Sequence, residues 1–126
     1  MTGMPKTIFV SVTKALNGEL DDVKTTTPLK DVARGWWHVN MQKASQCELL
    51  AAVYSGTIKG VWVIDRSIGW KPMTKYSIPT RDPIDIEPSR KYCELQGIFE
   101  DDGIIGRKIS SLSNVVRMHG PVRYYF

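Results

Sequence analysis

Histidine, cysteine and long apolar runs are scarce in this chain, and each scarcity removes a class of function. The 126 residues hold two histidines, His38 and His119. Neither stands in HxxxH or HExxH spacing, the helical arrangement that brings two ligands onto one zinc ion. The two cysteines, Cys47 and Cys93, have no CxxC spacing. They make neither a disulfide framework nor a zinc cage and read as reduced core or helix residues. No apolar run approaches the ~20 residues that span a bilayer, so no membrane partner is expected. Met1–Lys6 carries no signal-peptide pattern, and Thr2 rather than glycine follows Met1, so cytoplasmic residence without a myristoyl anchor is the expectation. GxSxG, Walker and GxGxxG motifs are missing too. Asp82, Asp85 and Glu87 are spaced through a proline-rich stretch, a pattern that solvates a loop more often than it cages a cation. The expected protein is a binder with no cofactor, no metal and no catalytic residue.

What remains is enough for a folded domain. A chain of 126 residues with 42% hydrophobic side chains can bury a core and form one domain, 1–126. Its net charge of +4 is unevenly spread. Residues 34–81 hold seven basic and two acidic side chains, and residues 103–126 hold four basic and none acidic. Between them, residues 82–102 hold two basic and seven acidic. If the fold joins the two basic stretches, they make a face that attracts phosphate. The alternative is a set of solvated charges.

Local patterns place the elements. Lys6–Thr13 is rich in β-formers and predicts a strand, ended by the Asn17-Gly18 turn. Thr27-Pro28 predicts a short helix with Thr27 as cap. Gly35–Val39 reads as extended. Asn40 predicts the cap of a helix over Met41–Leu50. Ala51–Tyr54 and Ile58–Ile64 predict a hairpin, with Ile58, Gly60, Trp62 and Ile64 on one side. Ser67–Pro88 reads as an irregular loop, Ser89–Phe99 as one strand, Gly106–Val116 as containing a short helix, and Pro121–Phe126 as a last strand. The order predicts an α+β fold: a small curled sheet or barrel with two or three short helices.

The aromatic set is the strongest signal. Four tryptophans, Trp36, Trp37, Trp62 and Trp70, fall within the basic stretch 34–81. A flat ring beside a cation offers a nucleobase a stacking face and a charge partner. Tryptophans also fill the cores of small β domains, so the same rings have a purely structural reading. Trp36 and Trp37 are adjacent, so an extended chain sends them to opposite sides, one to the core and one to a groove. Gly103-Ile104-Ile105-Gly106 has GxxG spacing, but its centre is two isoleucines and it lacks flanking helices. It reads as a turn before the basic pair Arg107 and Lys108, which are candidate phosphate contacts.

The layout resembles that of small PUA-like proteins, the pseudo-barrel superfamily of the EVE, YTH, ASCH and SRA groups. The residues that carry the resemblance are Arg34-Gly35-Trp36-Trp37, a small helix with Ala44, the hairpin 50–65, and Trp70 in the next loop. Leu95-Gln96-Gly97, Ile105-Gly106-Arg107-Lys108 and Gly120-Pro121-Val122-Arg123-Tyr124 complete it. It covers about residues 33–126, with 1–32 adding an edge strand and a cap. The resemblance implies a pseudo-barrel with a nucleobase pocket. Trp36 or Trp37, Trp62 and Trp70 are then its walls. Arg34, Arg107, Lys108 and Arg123, with Tyr124 beside the last, are phosphate or base-edge contacts. The full aromatic cage of methyl-base readers does not align.

The leading expectation is a non-enzymatic domain that recognises a nucleobase, modified or not, in nucleic acid. The rivals are a binder of a small nucleotide-derived signal, as in phage counter-defence, and a protein-interaction domain whose tryptophans are all core. Homo-oligomerisation stays open.

Overall fold

The computed structural model describes residues 5–19, 26–35, 37–72, 90–100, 103–109, 118 and 120–125. Among the described residues the architecture is α+β, with two mixed or antiparallel sheets and three short helices. The elements are β1 (Thr7–Ser11), α1 (Thr13–Leu16), α2 (Leu29–Ala33), β2 (Trp37–His38), α3 (Met41–Ala44), β3 (Leu49–Tyr54), β4 (Thr57–Ile64), β5 (Trp70–Pro72), β6 (Arg90–Cys93), β7 (Leu95–Ile98) and β8 (Val122–Tyr125). The larger sheet runs β7-β4-β3-β1-β8 and the smaller β2-β6-β5. Among the described residues neither sheet closes into a barrel. No helix among them is long and apolar enough to cross a membrane.

Both faces of the larger sheet are buried. Strand register places Tyr124, Ile8, Leu50, Trp62 and Ile98 in one row across all five strands. This first face packs on Val32 and Ala33 of α2, Ala44 of α3, and Cys93 and Trp70 of the smaller sheet. The alternate row, Arg123, Phe9, Ala51 and Val61, lies on the second face. Phe9 and Ala51 there pack with Ile104 and Ile109. Two-sided burial explains why β1 and β3 read as near-continuous apolar runs instead of alternating ones.

Several expectations change. β1 is not an edge: it lies between β3, to which it is parallel, and β8. Residues 7–11 are therefore an interior strand of the core sheet and not an edge added to it. The hairpin β3–β4 forms, but Ile58 joins the second-face cluster while Trp62 and Ile64 stay on the first. A bulge beside Ala52/Val53 leaves Lys59 unpaired, and one extra residue reverses the alternation on either side of it. The expected strand over 89–99 is two strands in different sheets, changing over at Glu94.

Trp70 belongs to β5, not to a loop. Pro28, not Thr27, occupies the cap position of α2, with extended backbone at ψ 141°. The helix after Asn40 is four residues long, because Leu49 already pairs with Thr7 and needs β geometry. α1 follows β1 without a sequence signal strong enough to mark it. The stretches 73–89 and 110–117, which contain most of the proline-rich loop and of the expected late helix, lie outside the described residues.

Asn40 does cap α3, its Oδ1 accepting the Lys43 N–H at 3.2 Å. Asn40→Ala is expected to cost about 1 kcal/mol, read as a lowered urea midpoint at unchanged m-value.

Candidate functional site

The two sheets meet in a layer rich in indole rings. On the smaller sheet Trp37 stands across from Lys91, and Trp70 across from Cys93. Lys91 and Cys93 are two apart on β6, so all four side chains share a face. That face turns inward: Cys93 is fully buried, Trp70 is 7% exposed, and Trp37 packs on the same cluster. Trp62 reaches the layer from β4 on the larger sheet.

The tryptophans differ in what their N–H groups meet. Trp37 donates to the Ala33 carbonyl at 2.7 Å, which anchors β2 to the end of α2. Trp70 Nε1 is buried and has no acceptor among the described residues. An orphaned buried donor of this kind costs about 1–3 kcal/mol. Trp62 folds back over its own strand. A Cβ on Gly60 would lie 2.6 Å from the Trp62 ring, so that glycine and its neighbour Ala52 leave the space that the ring fills. Trp36 lies outside the described residues.

Arg34 sits at the edge of this layer. Its carbonyl accepts the Cys93 N–H at 3.0 Å, at the last residue of β6 before the break at Glu94. Its guanidinium is 13% exposed and held between two carboxylates, with Nη1 2.8 Å from Glu94 and Nε 3.1 Å from Asp31. The Nε contact to Asp31 is close enough for an ion pair but is not aligned as a hydrogen bond, so this nitrogen too is a buried donor without a hydrogen-bond acceptor. Two such donors thus stand on either side of Cys93.

Tyr124 shares the first face, where its hydroxyl accepts the Asn40 N–H at 2.7 Å and the Lys43 ammonium stands 5.7 Å from the ring centroid. Burial, foremost, pushes its phenol above the usual range. The remaining candidates lie elsewhere. Arg123 is on the second face beside Phe9. Arg107 and Lys108 are exposed, on a segment bonded along Gly56–Ile58 at the hairpin end of β4. Four residues of β4 separate Ile58 from Trp62, roughly 13 Å. The structure therefore brings together Arg34, Trp37, Trp62 and Trp70, with Tyr124 farther along the same face. It does not bring Arg107, Lys108 or Arg123 to them. Among the described residues, no three His, Cys, Asp or Glu side chains converge as a metal site.

Both thiols are free and buried. Desolvation pushes Cys47 from 9.0 up to about 11, and Cys93 upward further. A raised pKa keeps the folded thiol protonated after the unfolded one has ionised. This contribution to stability is full below pH 9 and is lost as pH rises from about 9 to 11. Iodoacetamide at pH 8 is expected to label neither cysteine until denaturant unfolds the chain, and melting temperature should fall above pH 9.

In comparisons with protein-family models, curated proteins and solved structures, nothing matches this chain.

Proposed function

We propose that this protein binds a nucleobase, without turning it over, in the indole layer between its two sheets. The observation that carries the reading is the Trp70 indole N–H, 93% of whose residue surface is withdrawn from solvent and which has no acceptor among the described residues. A base edge presents carbonyl and ring-nitrogen acceptors at the distance such a donor needs, and its flat face suits the neighbouring Trp37 and Trp62 rings. The resemblance in segment order to PUA-like proteins supports the same class of ligand.

One observation favours a free nucleotide derivative over a base within a polymer at this layer. Arg34 is neutralised by Asp31 and Glu94, and Arg107, Lys108 and Arg123 stand away from the layer. A polyanion reaching this layer would find little of the expected basic rim.

The test is to purify the protein from cells, denature it, and examine the released small molecules by mass spectrometry. Titration with nucleosides, nucleotides and short oligonucleotides follows. A nucleotide-class molecule in stoichiometric amount, or micromolar binding with a large thermal shift, is the expected result. Failure of every such ligand to bind at micromolar concentration sinks the proposal.

A further inference from the structure

The smaller sheet has a second face, and its residues form a different kind of surface. His38 on β2 stands directly across from Arg90 on β6, and Tyr92 on β6 stands directly across from Lys71 on β5. Arg90 and Tyr92 are two apart, so the four side chains share one face, opposite to that of Trp37, Cys93 and Trp70. The inner set is in the core. On the outer set, His38 and Lys71 are exposed and Arg90 and Tyr92 are half-buried. Glu94, the next residue on the outer line of β6, is drawn to Arg34 at 2.8 Å.

We infer that this outer face is a platform for single-stranded nucleic acid, distinct from the inter-sheet layer and independent of what that layer binds. Tyr92 supplies a ring on which a base stacks, and Lys71, Arg90 and His38 surround it with donors for the phosphates on either side. The dimensions fit a strand laid across the sheet. Arg90 and Tyr92 are about 6.6 Å apart along β6, and β2 and β5 are separated by two strand spacings, roughly 10 Å. A flat sheet with one aromatic among cations is a recurring way to hold a single strand without reading its sequence. His38 and Arg90 also engage groups of the protein itself. A guanidinium has five N–H donors, so a contact inside the chain leaves others for phosphate. The ring, the two cations Lys71 and Arg90, and the His38 imidazole together select a polyanion that carries flat bases over an acidic peptide, which offers no stacking surface.

The experiment is fluorescence anisotropy of the full chain with labelled single-stranded DNA and RNA 12-mers, across a series of salt concentrations, with polyglutamate as competitor. Binding with a linear dependence of log affinity on log salt is expected. Lys71→Ala, at an exposed position, should shallow that slope by about 0.7, the loss of one phosphate contact. Tyr92→Ala should weaken binding about fivefold or more, and Tyr92→Phe, which keeps the ring, should stay within about twofold of wild type. Circular dichroism confirms the fold of each variant, and Tyr92→Phe carries the test if Tyr92→Ala does not fold. Lys59→Ala, at the exposed bulge of β4, should change neither affinity nor slope.

Three results overturn the platform: no binding of either 12-mer, equal losses from Lys59→Ala and Lys71→Ala, or displacement by polyglutamate with Tyr92→Ala without effect. Each leaves the inter-sheet proposal standing, since that is read from small-molecule binding.

Discussion

Trp70→Phe is expected to weaken nucleobase binding tenfold or more while leaving the unliganded protein about as stable as before. These two effects are seldom found together at a core position. Replacing an ordinary buried tryptophan with a smaller ring removes packing and lowers stability. Here the lost packing is offset, because the substitution also removes a buried donor whose desolvation costs about 1–3 kcal/mol without return. A bound ligand that supplies the acceptor reverses the balance. The hydrogen bond it makes to the indole is then worth more than about 1.4 kcal/mol, a factor of ten in affinity. Chemical denaturation without ligand and calorimetry with it measure the two halves separately. A variant that melts far below wild type yet keeps its affinity would show that the indole N–H serves only the core.

Gly60→Ala should destabilise the fold by about 1–3 kcal/mol, a large effect for one methyl group. The added carbon would stand 2.6 Å from one ring atom of Trp62 and 2.9 Å from another, both in the six-membered ring. Trp62 is 7% exposed and the ring lies against its own strand, so it has little room to move away. Trp62→Phe removes the outer atoms of the indole and should restore much of the loss when combined with Gly60→Ala. The double-mutant cycle should therefore give a coupling of about 1 kcal/mol or more. Equal losses for the single and double variants would mean that the glycine is needed for the bulge at Lys59 and not for the ring.

The sequence made the hairpin β3–β4 legible because both strands and the Ser55-Gly56 turn are contiguous, and every signal needed lies within sixteen residues or so. The Asn40 cap was legible for the same reason. What it hid is a local irregularity of pairing and, for the rest, partners far along the chain. Ile58 changes face through a bulge set by pairing with Val53 and Ala52, which no alternation of apolar and polar residues encodes. Ser89–Phe99 has continuous β character, yet Arg34 and Asp65 bond to either side of Glu94 and divide it between two sheets. At the candidate site, the tryptophans and Arg34 stood out by residue type. Their division of labour did not, since it rests on which N–H finds a carbonyl: Trp37 reaches Ala33, and Trp70 reaches no acceptor among the described residues. The basic residues were equally visible, but charge counted along a chain does not say which face of a sheet carries it. Arg123 alternates away from Tyr124, and Arg107 follows the hairpin end of β4. The outer set, His38, Lys71, Arg90 and Tyr92, had no signal in sequence at all, because strands from three separate segments assemble it.

The position of β1 bears on how the molecule reaches this state. Thr7–Val10 pair on one side with Leu49–Ala52 and on the other with Val122–Tyr125. This interior strand is thus synthesised more than 100 residues before β8, the strand that completes its pairing. Closing so long a loop is entropically slow, and parallel pairing of β1 with β3 adds a second non-local step. On the ribosome, the β8 side of β1 presents unpaired N–H and C=O groups throughout synthesis of the residues between. For that interval Thr7–Ser11 is an apolar strand with an open edge, and the nascent chain is at its most prone to pair with the wrong neighbour.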